Sequence, residues 1–305
     1  MDTMSVRLAA PPPAPGTATV GVVVLTMGTR PEDLAAGLAS LQAQRGVDLD
    51  ILVVGNGWEP TGLPDGVRGI GLPENLGIPG GRNAGAPYVA GDLLFFLDDD
   101  ARPATDDYVA RAVAMFEADP TLGLIHPRVD ATEGEAPGRW VPRVRKGDPR
   151  RSSPAFVLWE GGSVMRREAF DAVGGWPELY RYSHEGIEFV WRMWDQGWKV
   201  WYAGDLVCLH PPIDPTRHET YFRFNARHRV WIAKRNLRWP LSWAYVATWT
   251  LVQLVRSVRT PEGRSSLRPW FAGWREGWRV DPGGHKPLKW STVLLMTRLG
   301  RPPVV

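Results

Sequence analysis

The chain has 305 residues, 44% of them apolar and 23% charged, enough to bury a sizeable core and too apolar for a disordered protein. Its single cysteine, Cys208, excludes an intramolecular disulfide and any multi-cysteine zinc site, which fits a reducing compartment. The net charge of +3 hides a division: residues 223–305 carry 16 Lys/Arg against three acids, whereas residues 1–222 carry 20 against 30. A basic tail of this kind points to an anionic counterpart such as a membrane surface.

Residues 1–19 hold an Ala-Pro-rich stretch without a basic-then-apolar signal pattern, and read as a flexible lead-in. The β-branched run 20–26 predicts a first strand. Pro31-Glu32-Asp33 opens a helix, with proline in its first turn, acids at the positive end of its dipole, and Leu34, Leu38 and Leu41 as its buried stripe. Residues 51–54 predict a second strand ending in the turn Gly55-Asn56-Gly57, and 67–72 a short third one. A Gly-rich segment, 75–85, precedes a buried strand at 93–97, then an amphipathic helix at 108–119 leading to 122–125. Residues 133–154, rich in Gly, Pro and Arg, predict a long surface loop. Strand character resumes over 156–164, followed by a helix at 166–173 closed by Gly174-Gly175, a second helix at 188–196 and a strand at 200–207. This alternation argues for an α/β fold with a mostly parallel sheet.

Beyond Thr220 the pattern is helical and rich in Trp and Arg. Residues 240–255 carry no charge and are flanked by Arg256 and Arg259. That is short of the roughly 20 residues needed to span a bilayer. Trp270, Trp274 and Trp278 repeat at i, i+4 and i+8 with Arg275 and Arg279. Both segments fit helices that lie at an anionic membrane surface or pack on the preceding domain. No recognisable nucleic-acid module accompanies them, so nucleic acid is not expected as a partner. The expected division is a lead at 1–19, an α/β domain at 20–220 and a basic helical region at 221–305.

The chemistry gathers at Leu93-Leu94-Phe95-Phe96-Leu97-Asp98-Asp99-Asp100, an apolar strand followed at once by three carboxylates. Adjacent like charges need a reason, and a hard cation, Mg²⁺ or Mn²⁺, supplies one by bridging carboxylates to substrate phosphates. Ligands in open α/β sheets bind just beyond the carboxyl ends of strands, where these acids fall. His126, His218, His228 and His285 have no metal-ligand spacing.

Read in order, residues from about 20 to 211 resemble the inverting family-two glycosyltransferases of the GT-A fold, a Rossmann-like mixed sheet flanked by helices, here with a helical C-terminal extension. The opening strand with Thr26 and Arg30 matches the family's first strand and turn. In Ile51-Leu52-Val53-Val54-Gly55-Asn56 the family usually has an Asp after the Val pair to accept the nucleotide base; Gly55 stands there, leaving the backbone or Asn56 to replace it. The segment 75–85, with Asn75, Gly77, Gly81, Arg82 and Asn83, resembles the family's N-x-G-x-x-x-x-x-N loop, with Arg82 facing a diphosphate. Asp98-Asp99-Asp100 is similar to the metal-binding D-x-D: Asp98 and Asp99 are thereby on the donor side, and Asp98 and Asp100 with His210 are the implied metal ligands.

Trp159-Glu160-Gly161-Gly162 and His184-Glu185-Gly186-Ile187-Glu188 resemble the acceptor-side segments. The family commonly writes E-D-x-D-L there, with the second acid as base, and strict register puts Gly186 at that place. Glu185 is therefore the expected base and Glu188 the fallback, because a base must be an acid or His within reach of the acceptor hydroxyl. Trp159, Gly161, Gly162 and His184 are the expected acceptor contacts.

The resemblance implies a metal-dependent inverting transfer from a nucleoside-diphosphate sugar to a glycan or polyprenyl-linked acceptor of cell-surface polysaccharide. The expected location is cytoplasmic and peripheral, at the inner face of the plasma membrane. A looser likeness runs to rhamnosyl- and galactofuranosyl-transferring relatives. A nucleotidyltransferase and a non-catalytic nucleotide-sugar- or lipid-binding paralogue remain as alternatives.

Overall fold

The computed structural model describes residues 19–133, 148–212, 219–259 and 264–304. Nearly all of the expected lead-in and most of the expected loop at 133–154 lie outside them. Strand β1 (Thr19–Thr26) lies between β2 (Asp48–Asn56) and β4 (Leu93–Asp98), parallel to both, and β3 (Val67–Leu72) continues the parallel sheet beyond β2. Past β4 the sheet becomes mixed. There β8 (Gly162–Arg166) runs antiparallel to β4 and to β6 (Leu122–Ala131), and β9 (Lys199–His210) runs parallel to β6. The short strands β5 (Arg102–Pro103) and β7 (Ser153–Pro154) pair with β9. The order is β3-β2-β1-β4-β8-β6-β9-β5, so the chain reverses direction of growth between β1 and β4. That switch point opens a crevice at the carboxyl ends of the two strands.

The sheet is covered on both faces, which is why its central strands read as continuous apolar runs. Val22, Val24, Val53 and Phe95 pack with Leu34, Leu38 and Leu41 of α1 (Pro31–Gln42) and with Tyr108 and Phe116 of α3 (Tyr108–Ala118). Their neighbours Val23, Leu25, Val54 and Phe96 face the other way, onto Phe170, Trp176 and Phe189. Those residues belong to α4 (Arg167–Val173), the turn after it, and α5 (Glu185–Asp195). Gly174, at φ 84°, closes α4 in the left-handed conformation that glycine adopts without strain.

Three elements depart from expectation. The Gly-rich segment, likened above to a loop, is the helix α2 (Gly77–Gly85). It lies so close to the sheet that a Cβ on Gly81 would meet Leu25 Cδ1 at 2.4 Å, and one on Gly85 would meet Val54 Cγ2 at 2.6 Å. The strand expected over 156–164 begins only at Gly162: Phe156 stacks on Trp194, whose indole N–H donates to the Ala155 carbonyl. The helix expected from Glu188 begins one turn earlier, at Glu185.

The basic tail forms α6 (Glu219–Asn236), α7 (Leu241–Arg259), α8 (Leu267–Arg279) and α9 (Trp290–Arg298). Helix α8 presses its glycines onto α6; a Cβ on Gly273 would stand 1.9 Å from the Arg223 carbonyl oxygen. The Trp stripe of α8 therefore turns inward, with Trp270 buried and Trp278 stacked on Trp243 at 4.8 Å. The outward apolar surface lies instead on α7 and α9, at Leu251, Val258, Trp290 and Leu294, with Trp239 and Trp243 beside them. No helix among the described residues is long and apolar enough to cross a membrane.

Glu188 ties the two halves together. Fully buried, its carboxylate accepts from Tyr180 Oη at 2.6 Å, Arg192 Nε at 3.0 Å, Arg235 Nη2 at 2.8 Å and Asn236 Nδ2 at 2.9 Å. Burial works against its charge, but Arg235 and Arg192 overcome it and hold the carboxyl below its ordinary value. Replacing Glu188 with Ala leaves two guanidinium groups uncompensated and is expected to destabilise the fold by about 3–5 kcal/mol, read from chemical denaturation. Because the folded value is depressed, the native contribution is complete above the ordinary carboxylate value and is lost as pH falls through the lowered one.

Candidate active site

Parallel register sets the last residues of β1 beside those of β4, Leu25 opposite Asp98, with Thr26 opposite Gly55 of β2. The three consecutive acids then diverge. Asp98 accepts from Arg82 Nη2 at 2.6 Å, an arginine buried on α2 with its guanidinium 5.2 Å from the Trp176 ring. Asp99 accepts from Thr26 Oγ1 at 2.7 Å and from Arg30 Nη1 at 3.0 Å. Burial nonetheless pushes its carboxyl above the usual range, against the pull of Thr26 and Arg30. Asp100 accepts from the same Arg30 nitrogen at 2.7 Å and faces His210 Nε2 at 3.3 Å. Burial opposes its charge as well, but His210 and Arg30 prevail and lower its pKa.

His210 ends β9, and its Nδ1 lies 2.7 Å from the Pro211 carbonyl, which fixes that nitrogen as the N–H and leaves Nε2 toward Asp100. Burial alone would lower the imidazole, but the Asp100 carboxylate raises it. The carboxylate suits Mg²⁺ or Mn²⁺, the imidazole being a softer donor that Mn²⁺ accepts more readily than Mg²⁺, and such ions are often held by one or two carboxylates with substrate phosphates and water completing the shell. Among the described residues no three His, Cys, Asp or Glu side chains converge as a metal cage. The fit is thus to a cation shared with a ligand. Arg30, its side chain 44% exposed, can swing out to make room. A cleft of about 220 Å³ opens beside Asp100, lined also by Asp33, Arg102 and Thr132.

The remaining donor-side candidates serve mainly to build this edge. Asn56 donates to the Gly77 carbonyl at 3.0 Å and accepts from Leu76 N at 2.8 Å, so its amide fixes the start of α2. Gly55 is required where it stands, because a Cβ there would lie 1.9 Å from the Trp58 carbonyl oxygen. Asn75 Oδ1 accepts from Gly77 N at 2.8 Å, and Gly77 takes φ 81°. Asn83 faces away from Asp98, bonding Trp176 N and O and Glu178 Oε1.

On the acceptor side, Gly161 lets the chain pass against Asp98: its carbonyl accepts from Asp98 N at 3.0 Å, and a Cβ would lie 2.2 Å from Asp98 Oδ2. Gly162 gives the same clearance to Trp159 and Cys208, and its carbonyl accepts from Tyr108 Oη at 2.7 Å. Trp159, half-buried, meets the His210 ring edge-on at 5.4 Å, which puts it beside the acids. Glu185 opens α5 and is buried, with Oε2 lacking a hydrogen-bond partner. Burial raises its carboxyl, with Arg82 pulling the other way and Asp98 adding to the rise. Glu188, the fallback base, has its carboxylate fully engaged in the ion-pair hub described above.

His184 caps α5 at φ 75°, preceded by Ser183 at φ 68° and Arg181 at φ 53°, backbone conformations that persist only when surroundings enforce them. The enforcement comes from α6, where His228 Nδ1 lies 2.9 Å from the Ser183 carbonyl and Asn225 Nδ2 3.5 Å from His184 Nε2. Burial, with Arg229 and His228 nearby, keeps His184 neutral. Sequence reading did not attach Asn225, His228 or Glu160 to the site. Asn225 and His228 lie some forty residues away with no motif, whereas Glu160 was visible beside Gly161-Gly162.

Residues 22–174 match the family described as Glycosyl transferase family 2. A 117-residue stretch, 37% of this chain and 37% of the relative, is 30% identical to the N-acetylglucosaminyl-diphospho-decaprenol L-rhamnosyltransferase of Mycobacterium tuberculosis. The alignment thus spans little more than a third of that relative's length. Among solved structures, the mannosyltransferase PcManGT from Pyrobaculum calidifontis, in complex with GDP-Man and Mn²⁺, superposes with a TM-score of 0.57 at 16% identity, covering 97% of this chain and 82% of that one. S. aureus TarS 1-349 in complex with UDP-GlcNAc gives 0.59 at 13% identity, covering 85% and 80%. These likenesses carry the GT-A fold.

Arg82 is the buried cation of the crevice, so Arg82→Met should lower stability by about 3 kcal/mol, the low end for a broken buried pair because Asp98 is partly exposed. An unchanged urea midpoint would mean that another group neutralises Asp98.

Proposed function

The chain belongs to glycosyl transferase family 2, and on that premise we propose that it is a metal-dependent, inverting transferase. It would move a sugar from a nucleoside-diphosphate donor to a hydroxyl of a glycan or polyprenyl-linked acceptor in cell-surface polysaccharide synthesis. The observation that carries this reading is the pairing, at one crevice, of an acid cluster at the end of β4 with a buried, partly unpartnered acid at the start of α5. Arg82 lies between them in charge: it bonds Asp98 and acts electrostatically on Glu185.

Asp100 and His210, with Asp98 two residues before Asp100, would hold Mg²⁺ or Mn²⁺. The ion would supply positive charge to the departing diphosphate. Arg82, immobilised on α2, adds a fixed cation that needs no reorganisation as charge develops. Thr26 and Arg30 orient Asp99 and Asp100 at the donor edge. Opposite them, Glu185 accepts the acceptor hydroxyl proton, a task suited to a carboxyl whose environment raises its proton affinity. One base and no carboxylate nucleophile give in-line displacement, hence inversion. Trp159 offers an aromatic face beside the acids, and neutral His184 a hydrogen-bonding ring at the rim.

The apolar surface of α7 and α9, together with Arg256, Arg259 and Arg298, supports peripheral contact with an anionic bilayer at the cytoplasmic face, where a polyprenyl-linked acceptor would be presented.

Purified protein, a panel of nucleotide sugars and a lipid-linked acceptor test the chemistry. Release of nucleoside diphosphate should stop with chelator and return with Mn²⁺, and Asp100→Ala and Glu185→Gln should each lower kcat by about 10²–10⁴-fold. Pyrophosphate release would instead indicate nucleotidyl transfer, donor binding without turnover a binding paralogue, and full activity in Glu185→Gln a different base. Separately, co-sedimentation should be strong with anionic vesicles, weak with neutral ones, and reduced by Leu251→Ser and Val258→Ser together.

A further inference from the structure

Glu160 stands in the turn that enters β8, its backbone fixed by Ser163, whose N–H and Oγ donate to the Glu160 carbonyl at 3.4 and 3.0 Å. Its carboxylate crosses to the first turn of α5. A Cβ on Gly186 would lie 2.1 Å from Glu160 Oε1 and 3.0 Å from its Cδ. Gly186 does not adopt a positive φ, so the backbone does not demand glycine there. Within a helix glycine is destabilising by about 1 kcal/mol relative to alanine. What fills the space a side chain at 186 would take is the Glu160 carboxylate, with Leu158 Cβ behind it at 3.2 Å.

Around this carboxylate stand Glu185 from α5, Arg82 from α2 and Asp98 from β4, the charged groups that act on it from the elements packed there. Burial and the adjoining Glu185 push the Glu160 carboxyl above its ordinary range, as expected for two acids that do not both ionise in one place. Hydrogen-bonding capacity is left over on two of these same groups: Glu185 Oε2, Arg82 Nε and Arg82 Nη1 are all buried without partners. Buried groups of this kind are ordinarily satisfied, and a polar ligand is what would satisfy them.

We propose that Glu160 is the second acid of the acceptor side, reaching from the sheet into the place of the missing side chain at 186, and that the Glu160–Glu185 pair together receives the acceptor proton. The proposal rests on the transferase reading given above. In the step, the acceptor hydroxyl oxygen bonds the anomeric carbon while its proton passes to the ionised member of the pair. The bond from that carbon to the donor phosphate oxygen breaks, and its electron pair leaves with the diphosphate.

The test is charge relocation, with nucleoside diphosphate release as the readout and nucleotide affinity as the control for folding. Glu160→Gln, nearly isosteric, should lower kcat by about 100-fold or more with little change in donor KM. Gly186→Ala, which adds one methyl group and drives Glu160 aside, should lower kcat as well. The double variant Glu160→Ala/Gly186→Asp, which returns a carboxylate to the same space from the helix, should recover at least about tenfold over Glu160→Ala alone. A packing role for Glu160 predicts no such recovery and wild-type kcat in Glu160→Gln; either result overturns the proposal while leaving the transferase reading intact. Absence of turnover in the wild-type protein with every donor would overturn both.

Discussion

Carboxylates do not gather in a buried crevice unless positive charge is fixed beside them, and that requirement organises this molecule. Five acids, Asp98, Asp99, Asp100, Glu160 and Glu185, border the carboxyl ends of the central strands. Arg82 answers the inner ones and Arg30 the outer ones. The two arginines differ in kind. Arg82 is buried on a helix pressed against the sheet, so its charge is a permanent part of the site; Arg30 is half-exposed and reaches its two acids from the solvent side. Two glycines of α2 follow from the same demand, because side chains at Gly81 and Gly85 would strike Leu25 and Val54 and hold the helix that carries Arg82 away from the sheet.

A second consequence is that the basic tail is not an appendage. Its arginines are partly consumed internally, Arg235 on Glu188 and both Arg223 and Arg227 on Glu276. Through Asn225 and His228 it also imposes the left-handed backbone from which Glu185 starts its helix. The Glu185 side of the crevice is therefore assembled from two regions that differ sharply in charge and composition. What remains outward on α7 and α9 is apolar surface with arginines at the helix ends.

Much of this was readable from residues alone, for definite reasons. The strands β1 and β4 declare themselves because both faces are buried and alternation vanishes. The acids at the end of β4 stand out because adjacent like charges need an explanation. The helix α2 was hidden because glycine, read as a turn signal, is here a clearance for close packing, which no local pattern separates. Residues 156–161 have the apolar content of a strand but are held at their two ends instead, Phe156 by the Trp194 ring and Gly161 by Asp98 N. Glu188 looked like a candidate base until its four partners, two of them some forty-seven residues away, came into view. The positions of Asn225 and His228 depend on tertiary contacts that leave no spacing in the sequence, whereas Glu160 stands within a legible motif and only its reach to α5 is hidden.

Gly55 carries a steric implication. The Trp58 carbonyl occupies the volume that any side chain at 55 would need, at 1.9 Å from a Cβ. Any side chain at this position, an aspartate included, is therefore closed to a single substitution. The following turn would have to be redrawn first, or in the same event. Residue 55 and the turn at Trp58 thus form one steric unit, in which neither partner can be altered without the other.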